Sequence, residues 1–204
     1  MIYNKHNFSI HNMDDRRTII RGIRVTKDFT EITNGHYAVR VYTPFQDCIE
    51  STVKDLPDVG EHLNVATDFE SCVIALRVAK EVEKAIPAKA TFAPILENAW
   101  ITQRTDAKHI EFCTSDLDIT KPIRAKVEDI RYPDIDAIIP TKKEPEYVTA
   151  FSAEYMMKIC QQFKRMGINC VDIDFFGKES AIKMSGKTAE GQKLLVVLMP
   201  MKRE

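Results

Sequence analysis

The sequence predicts an α+β fold in which two amphipathic helices cover one face of antiparallel β-sheets. About ten short runs are rich in Ile, Val and Thr and are bounded by turn residues, the pattern of β-strands. In contrast, two stretches repeat apolar residues at the spacing of a helix face. Many strands set against few helices favour antiparallel sheets that bury one face under the helices.

The first group of strands begins at Thr18. The runs TIIRGIRVTKD, FTEITNGH and YAVRVYTP are each short, β-branched and followed by turn residues. They predict three antiparallel strands between residues 18 and 42. The first seventeen residues are polar and mixed, and we predict no helix or strand there.

The first helix is predicted after residue 67. Thr67 and Glu70 have the spacing of a capping box, and Pro87 marks the end of the run. The apolar residues between them recur at helical spacing and predict a helix of about five turns: Phe69, Cys72, Val73, Leu76 and Ala79. The runs TFAPIL, AWITQR, HIEFCTS and PIRAKVEDI then predict further strands.

The last third of the chain repeats this order. EYVTAF predicts a strand, and a helix from Ser152 follows, with its apolar stripe at Met156, Ile159, Cys160 and Phe163. CVDIDFF, SAIKMS and KLLVVLMP predict three more strands. The units that begin near residues 61 and 146 thus share the order strand-helix-strand-strand-strand, which indicates an internal duplication. We therefore divide the chain into an N-terminal part, 1–145, and a C-terminal part, 146–204.

Composition limits the function classes. Lys and Arg number 29 and Asp and Glu 30 in 204 residues, so the chain does not hold nucleic acid by a bulk positive field, and DNA contact requires a local basic surface. The five cysteines are spread singly, which favours free thiols in a reducing compartment. No apolar run is long enough for a signal peptide or a membrane span, and we expect a cytoplasmic protein with no membrane partner.

Three segments of the chain, FTEITNGHYAVRV, RYPDIDAIIP and LLVVLMPMKRE, carry motifs of a known family. They resemble segments of the bacterial DNA sliding clamp, the beta subunit of DNA polymerase III. FTEITNGHYAVRV is similar to the clamp signature T-D-G-H-R-L-A, with Asn34 in place of the acid. RYPDIDAIIP is similar to the clamp segment aromatic-P-D followed by two apolar residues and Pro. LLVVLMPMKRE is similar to the clamp terminus V-V-M-P-M-R-L. All three occur in the order found in that family.

The resemblance implies a DNA-clamp fold and a non-enzymatic role as a processivity or recruitment platform. Its partners would be short linear motifs of polymerase or repair proteins, and duplex DNA that the protein could encircle. In the family, the three segments converge on a hydrophobic peptide pocket. Carried over by position, the pocket residues are Thr33, Gly35, His36, Tyr37, Pro133, Ile138, Val197 and Met199.

The chain also departs from the family. A bacterial clamp chain has three domains, each a pair of such units, and two chains close a ring of six domains. This chain has two complete units and an N-terminal set of strands that lacks its own helix. A homo-oligomeric ring would therefore need several copies. Tyr37 stands where the family has Arg, and Ala137 stands where a basic residue is frequent.

Basic residues recur on the predicted solvent faces of both helices, the faces that line the DNA hole in clamps. Because residues three and four apart on a helix are neighbours, the spacing places these side chains together. The candidate DNA-contacting residues are Arg77, Lys80 and Lys84 on the first helix and Lys158 and Arg165 on the second. We expect contacts to phosphates only, without sequence preference.

The sequence gives little indication of metal binding, cofactor binding or catalysis. Asp172 and Asp174, like Asp116 and Asp118, alternate along β runs, but no third ligand stands at matching spacing for a metal. No phosphate-binding glycine loop is present, and we expect no cofactor and no catalytic residue. Two alternatives stay open. One is a monomeric clamp-derived peptide-binding adaptor that does not encircle DNA, and the other is a hydrolase on an α+β scaffold.

Overall fold

A computed structural model describes residues 2–13, 22–43, 69–88, 94–102, 108–116, 118–137, 139, 145, 147–189 and 191–201. The chain forms two compact units, Met1–Ile138 and Ile139–Glu204. The predicted division between residues 145 and 146 lies a few residues further along the chain.

The first unit begins with elements that the sequence did not reveal. Strand β1 (Ile2–Asn4) leads into helix α1 (Lys5–Ser9) and a 3-10 turn (Ile10–Met13). The side chain of Asn4 accepts hydrogen bonds from the backbone of His6 and Asn7 and so caps α1. Our prediction of no element in this stretch was wrong, because a five-residue helix is too short to display a period.

The three strands predicted between residues 18 and 42 are confirmed. They are β2 (Gly22–Thr26), β3 (Phe29–Thr33) and β4 (Ala38–Tyr42), and they pair in antiparallel order. A fourth strand, β5 (Ser71–Ala75), pairs with β2 and completes a sheet of order β4-β3-β2-β5.

The predicted five-turn helix is partly wrong. Its first part is strand β5, and helix α2 covers Leu76–Ala85 with Ala75 as its N-cap. The β-branched pair Val73 and Ile74 is buried, and each pairs with a residue of β2, which explains the extended backbone. Thr67, half of the predicted capping box, lies outside the described residues.

The second sheet of the first unit has the order β1-β6-β7-β8. It contains β6 (Asn98–Ile101), β7 (His109–Ser115) and β8 (Thr120–Lys126), in agreement with three of the predicted runs. The run TFAPIL is not a strand where it is described, because Pro94–Glu97 forms a 3-10 turn. Its first residues, 91–93, lie outside the described part of the chain.

The first unit therefore contains two β-α-βββ repeats that exchange their leading strands. The first repeat is β1, α1 and β2 to β4, and the second is β5, α2 and β6 to β8. Leading strand β1 pairs with β6 of the second repeat, and leading strand β5 pairs with β2 of the first. The N-terminal strands thus have their own helix, which corrects the sequence-based expectation.

The second unit contains a third repeat. Helix α3 (Ala153–Arg165) begins directly after Ser152, in agreement with the predicted helix, and the Ser152 side chain caps it. Three antiparallel strands follow it. They are β9 (Asp172–Asp174), β10 (Ile182–Lys187) and β11 (Lys193–Leu198). The predicted strand EYVTAF is wrong, because its described residues form a single bridge, between Ala150 and Met201.

Helix α3 packs on the three-stranded sheet through a small core. The buried residues are Phe163, Ile168, Ile182, Met184 and Leu198. A Cβ atom at Gly186 would lie 2.6 Å from Cγ2 of Ile168, so a glycine is needed where the segment after the helix crosses β10.

An aromatic cluster joins the two repeats of the first unit. The ring of Phe8 lies 5.9 Å from that of Tyr3 and 5.5 Å from that of Phe112, measured between centroids. The hydroxyl of Tyr3 donates a hydrogen bond of 2.7 Å to the carbonyl oxygen of Thr26. Burial raises the pKa of Tyr3, so its hydroxyl stays protonated and keeps donating. Leading strand β1 is thus fixed by packing as well as by backbone pairing.

Tyr3→Ala should lower the free energy of unfolding of the first unit by about 3–5 kcal/mol, because it empties a fully buried aromatic position. Tyr42→Ala is the matched control: this tyrosine is exposed, and its loss should cost about 1 kcal/mol. Urea unfolding followed by circular dichroism measures both. Equal losses for the two variants would contradict the anchoring role of β1.

Candidate partner-binding site

The loop between β3 and β4 carries the first group of predicted pocket residues. The hydroxyl of Thr33 donates to the carbonyl oxygen of Tyr37 at 2.7 Å and accepts from the amide of Gly35 at 3.2 Å. The side-chain oxygen of Asn34 accepts from the amides of His36 and Tyr37. Thr33 and Asn34 thus fix the loop through side-chain hydrogen bonds.

Within this loop, the other predicted residues differ in exposure. Gly35 has φ of 83°, a left-handed conformation that favours glycine. His36 is exposed, and Tyr37 is half-buried with its hydroxyl donating to the carbonyl oxygen of Met13. The imidazole of His36 is therefore accessible to a partner, whereas the hydroxyl of Thr33 is occupied within the loop.

Pro133 lines a cavity of about 590 Å³ in the first unit. The neighbouring Tyr132 donates a hydrogen bond of 2.9 Å to the carbonyl oxygen of Glu31, which attaches this segment to β3. Burial, followed by the nearby Glu31 carboxylate, raises the pKa of Tyr132, so the phenol keeps its proton for this bond. Arg24 and Asp136 stand at the same cavity.

A cluster of four charged residues supports this cavity, and we call it the Glu31 cluster: Arg24, Glu31, Arg40 and Asp136. The Glu31 side chain is fully buried, and its two carboxylate oxygens meet Arg24 at 3.1 Å and Arg40 at 2.9 Å. Arg40 also donates to Asp136 at 2.7 Å, and its guanidinium lies 3.8 Å from the centre of the Phe29 ring. The cluster joins three strands to the segment that carries Pro133.

The electrostatics of the cluster favour its ionised form. The hydrogen bond from Arg40 lowers the pKa of Asp136 below its usual value, against a smaller opposing effect of desolvation. Burial opposes the charge on Arg40, but hydrogen bonds from its guanidinium to Asp136 and Glu31 raise its pKa overall. Sequence reasoning missed this cluster. The signal was present, because Arg24, Glu31 and Arg40 each occupy the centre of a predicted strand.

The second unit carries the other predicted pocket residues at the end of β11. Met199 is 66% exposed and lines a cavity of about 650 Å³. Val197 is also exposed and pairs with Lys183 of β10, but it is not among the residues that line this cavity. The other lining residues, which sequence reasoning did not single out, are Val148, Thr149, Ala150, Lys178, Glu179, Pro200 and Met201.

The predicted pocket residues thus divide between the two units. Five belong to the first unit: Thr33, Gly35, His36, Tyr37 and Pro133. Val197 and Met199 belong to the second unit. Ile138 lies outside the described residues. The convergence of the two groups on one pocket stays a prediction.

The predicted DNA-contacting residues are exposed on their helices. On α2, Arg77, Lys80 and Lys84 are exposed, as is the acidic Glu81. On α3, Lys158 and Arg165 are exposed, and Lys158 forms an ion pair with Glu154 one turn away. Each helix therefore presents a mixed surface in which basic residues predominate.

In the part of the chain that the structure describes, no three His, Cys, Asp or Glu residues come together as metal ligands. Asp174 instead pairs with Lys183 at 2.6 Å, and His11 pairs with Glu83 at 2.7 Å. Among the described helices, none has the length and apolar character needed to span a membrane.

Comparison with solved structures identifies the fold. The beta subunit of DNA polymerase from Streptococcus pyogenes has a TM-score of 0.59 at 12% identity, covering 99% of this chain and 50% of its own. The DNA polymerase sliding clamp from Bacillus subtilis has a TM-score of 0.57 at 13% identity, covering 99% and 49%. The sliding clamp from Caulobacter crescentus has 0.56 at 11%, covering 100% and 50%.

The chain is therefore a protein of the DNA-clamp fold, as the sequence predicted. The solved structures that it matches are bacterial sliding clamps, and the chain spans about half the length of each. No protein-family model and no curated protein sequence matches it.

Glu31→Ala should lower the free energy of unfolding by about 3–5 kcal/mol, because it leaves two arginines without their buried counter-charge. Glu70→Ala removes an exposed carboxylate and should change stability by less than about 0.5 kcal/mol. Urea unfolding of the two variants measures the difference. A loss below about 1 kcal/mol for Glu31→Ala would show that the cluster does not support the fold.

Proposed function

We propose that the protein is a non-enzymatic recruitment platform that binds short apolar peptides of polymerase or repair proteins. The observation that carries this proposal is the apolar end of β11 in the second unit. Met199 and Met201 are both exposed and both line the 650 Å³ cavity, which is large enough for one or two side chains of a peptide. Exposed large apolar residues that adjoin a cavity are typical of binding sites.

The chemistry of this cavity suits an apolar ligand of variable sequence. Methionine is flexible and polarisable, so Met199 and Met201 can adapt to different side chains. Pro200 and Val148 add apolar surface, while Lys178 and Glu179 balance each other in charge at the rim. A client peptide would gain most of its binding energy from large apolar anchors.

Two residues of the first unit indicate which peptide sequences the protein prefers. Tyr37 and Ala137 stand where the resemblance implies basic or polar residues, so the peptide should be less acidic and more apolar than one suited to a bacterial clamp. We propose that the exposed His36 and the cavity at Pro133 form the peptide-contacting surface of the first unit.

A peptide of the type Gln-x-Leu-x-Leu-Phe should bind the wild-type protein saturably. Met199→Asp should weaken this binding by at least about thirtyfold, since a lost anchor contact costs about 2 kcal/mol. Isothermal titration calorimetry measures both affinities.

Leu195→Asp is the matched control for this experiment. Leu195 is exposed on β11, the strand that Met199 directly follows, but it does not line the cavity. Its substitution should leave the affinity unchanged. Absence of saturable binding by the wild type, or equal loss in both variants, would remove the cavity as the peptide site.

We also propose non-specific contact with duplex DNA through the helix surfaces. The support is the exposure of the five basic residues on α2 and α3, together with the fold that the chain shares with sliding clamps. Since Glu81 and Glu154 reduce the local positive charge, the contact should be weak and limited to phosphates.

Replacing Arg77, Lys80, Lys84, Lys158 and Arg165 together by Glu should abolish DNA association. In the wild type, each phosphate contact should contribute about 0.9 to the slope of log affinity against log salt concentration. Fluorescence anisotropy of a labelled duplex over a salt series measures the slope.

A control with the same change in charge separates local contact from bulk electrostatics. It replaces five exposed lysines on other elements by Glu: Lys27, Lys121, Lys126, Lys187 and Lys193. This variant should keep most of its affinity. Equal loss in both variants would contradict a site on the helices, and no association by the wild type would favour the adaptor that does not encircle DNA.

A further inference from the structure

In the part of the chain that the structure describes, the third repeat has no companion repeat of the kind that completes the first two. In the first unit, each three-stranded sheet gains a fourth strand, because β1 joins β6 and β5 joins β2. In the second unit, β9 is the strand equivalent to β2 and β6, since it is the first strand after the helix. Among the described residues, no strand pairs with its outer edge.

Burial of the equivalent strands differs accordingly. All four residues of β6 are buried, and four of the five residues of β2 are buried. In β9, Asp172 and Ile173 are exposed and Asp174 is half-buried. Ile173 is 44% exposed although it lies opposite the buried Met184. The apolar side of β9 therefore lacks a cover that both equivalent strands have.

The segment 147–150 occupies the position of a leading strand, but among the described residues it pairs with no sheet of another repeat. In the second repeat, leading strand β5 bridges to Val127 just beyond β8, and the amide of Glu128 donates to the carbonyl of Val73 at 2.8 Å. In the third repeat, Ala150 bridges to Met201 just beyond β11, and the amide of Met201 donates to the carbonyl oxygen of Ala150 at 2.8 Å. The segment thus makes the same contact with its own sheet.

The other side of this segment differs from that of β5. Leading strand β5 continues into full pairing with β2, and Val73 and Ile74 are buried. The segment 147–150 has no such sheet to join in the described part of the chain, and Val148 is exposed. Apart from the Ala150 carbonyl, which accepts from Met201, the backbone groups of this segment pair with no strand among the described residues, so its other edge can receive a new strand.

Helix α3 also has apolar residues that no companion helix covers among the described residues. Helices α1 and α2 contact each other, and the adjoining 3-10 turn is tied to α2 by the pair of His11 and Glu83. Helix α3 buries Phe163 but leaves Tyr155 and Met157 more than half exposed. A companion helix would cover such apolar residues.

We propose that the companion is the third repeat of a second copy of this chain. The repeat offers an open sheet edge at β9 and an unused leading segment at 147–150, so it is complementary to itself. A two-fold axis would let each copy donate its segment to β9 of the other. This arrangement reproduces the exchange seen within the first unit, and it does not depend on peptide or DNA binding.

The test is the mass of the full chain in solution, measured by sedimentation equilibrium over a dilution series. The wild type should be a dimer that dissociates on dilution. Ile173→Lys should raise its dissociation constant by about 100-fold or more, because it places a charge in the covered side of each sheet. Tyr155→Lys, on the exposed face of α3, should act in the same direction without altering the sheet.

Leu195→Lys is the matched control, because Leu195 is exposed on β11, the third strand after the helix. In the complete unit, the equivalent strand β4 has no buried residue and β8 has one. This variant should remain a dimer, and circular dichroism should show that all three variants are folded. A monomeric wild type at every concentration would overturn the proposal. So would an assembly that tolerates both Ile173→Lys and Tyr155→Lys, or one that Leu195→Lys disrupts as strongly.

Discussion

The exchange of leading strands is the constraint on which the fold depends. In a β-α-βββ repeat of this chain, the helix separates the leading strand from the three that follow, and the leading strand completes the sheet of another repeat. Two repeats therefore bury each other's first strands and share one core, in which Tyr3, Phe8 and Phe112 meet. Because an unpaired strand edge presents backbone groups that can pair with another strand, a repeat without a companion keeps an open edge at the first strand after its helix.

The leading segments also lie beside the two candidate binding sites. Leading strand β5 and segment 147–150 each lie beside the chain that leaves the last strand of their own repeat. A cavity is found at each place, with Pro133 at the first and Met199 at the second. In the first unit, the Glu31 cluster fixes this region by charge, whereas the second unit presents a flexible apolar surface. These two kinds of lining suit a rigid support and an adaptable contact, respectively.

Much of this could be read from the sequence, but the leading strands could not. Strands β2 to β4 and β7 to β11 show β-branched runs between turn residues, and α3 begins directly after Ser152, where the sequence predicted a helix. The sequence predicts helix over β5 because the apolar residues at 72, 73 and 76 have helical spacing, whereas pairing with β2 makes this backbone extended. Strand β1 has three residues, too few for any period. Buried Glu31 is stabilised by arginines whose proximity follows only from strand register.

Hydrogen exchange of backbone amides, followed by NMR at increasing protein concentration, tests the strand exchange most directly. The amides of β2 and β6 should be protected at every concentration, because their companion strands belong to the same chain. The outward-facing amides of β9 and those of segment 147–150 should gain protection together as concentration rises. Protection of β9 that does not change with concentration, whether high or absent, would contradict completion of the third repeat by a second copy.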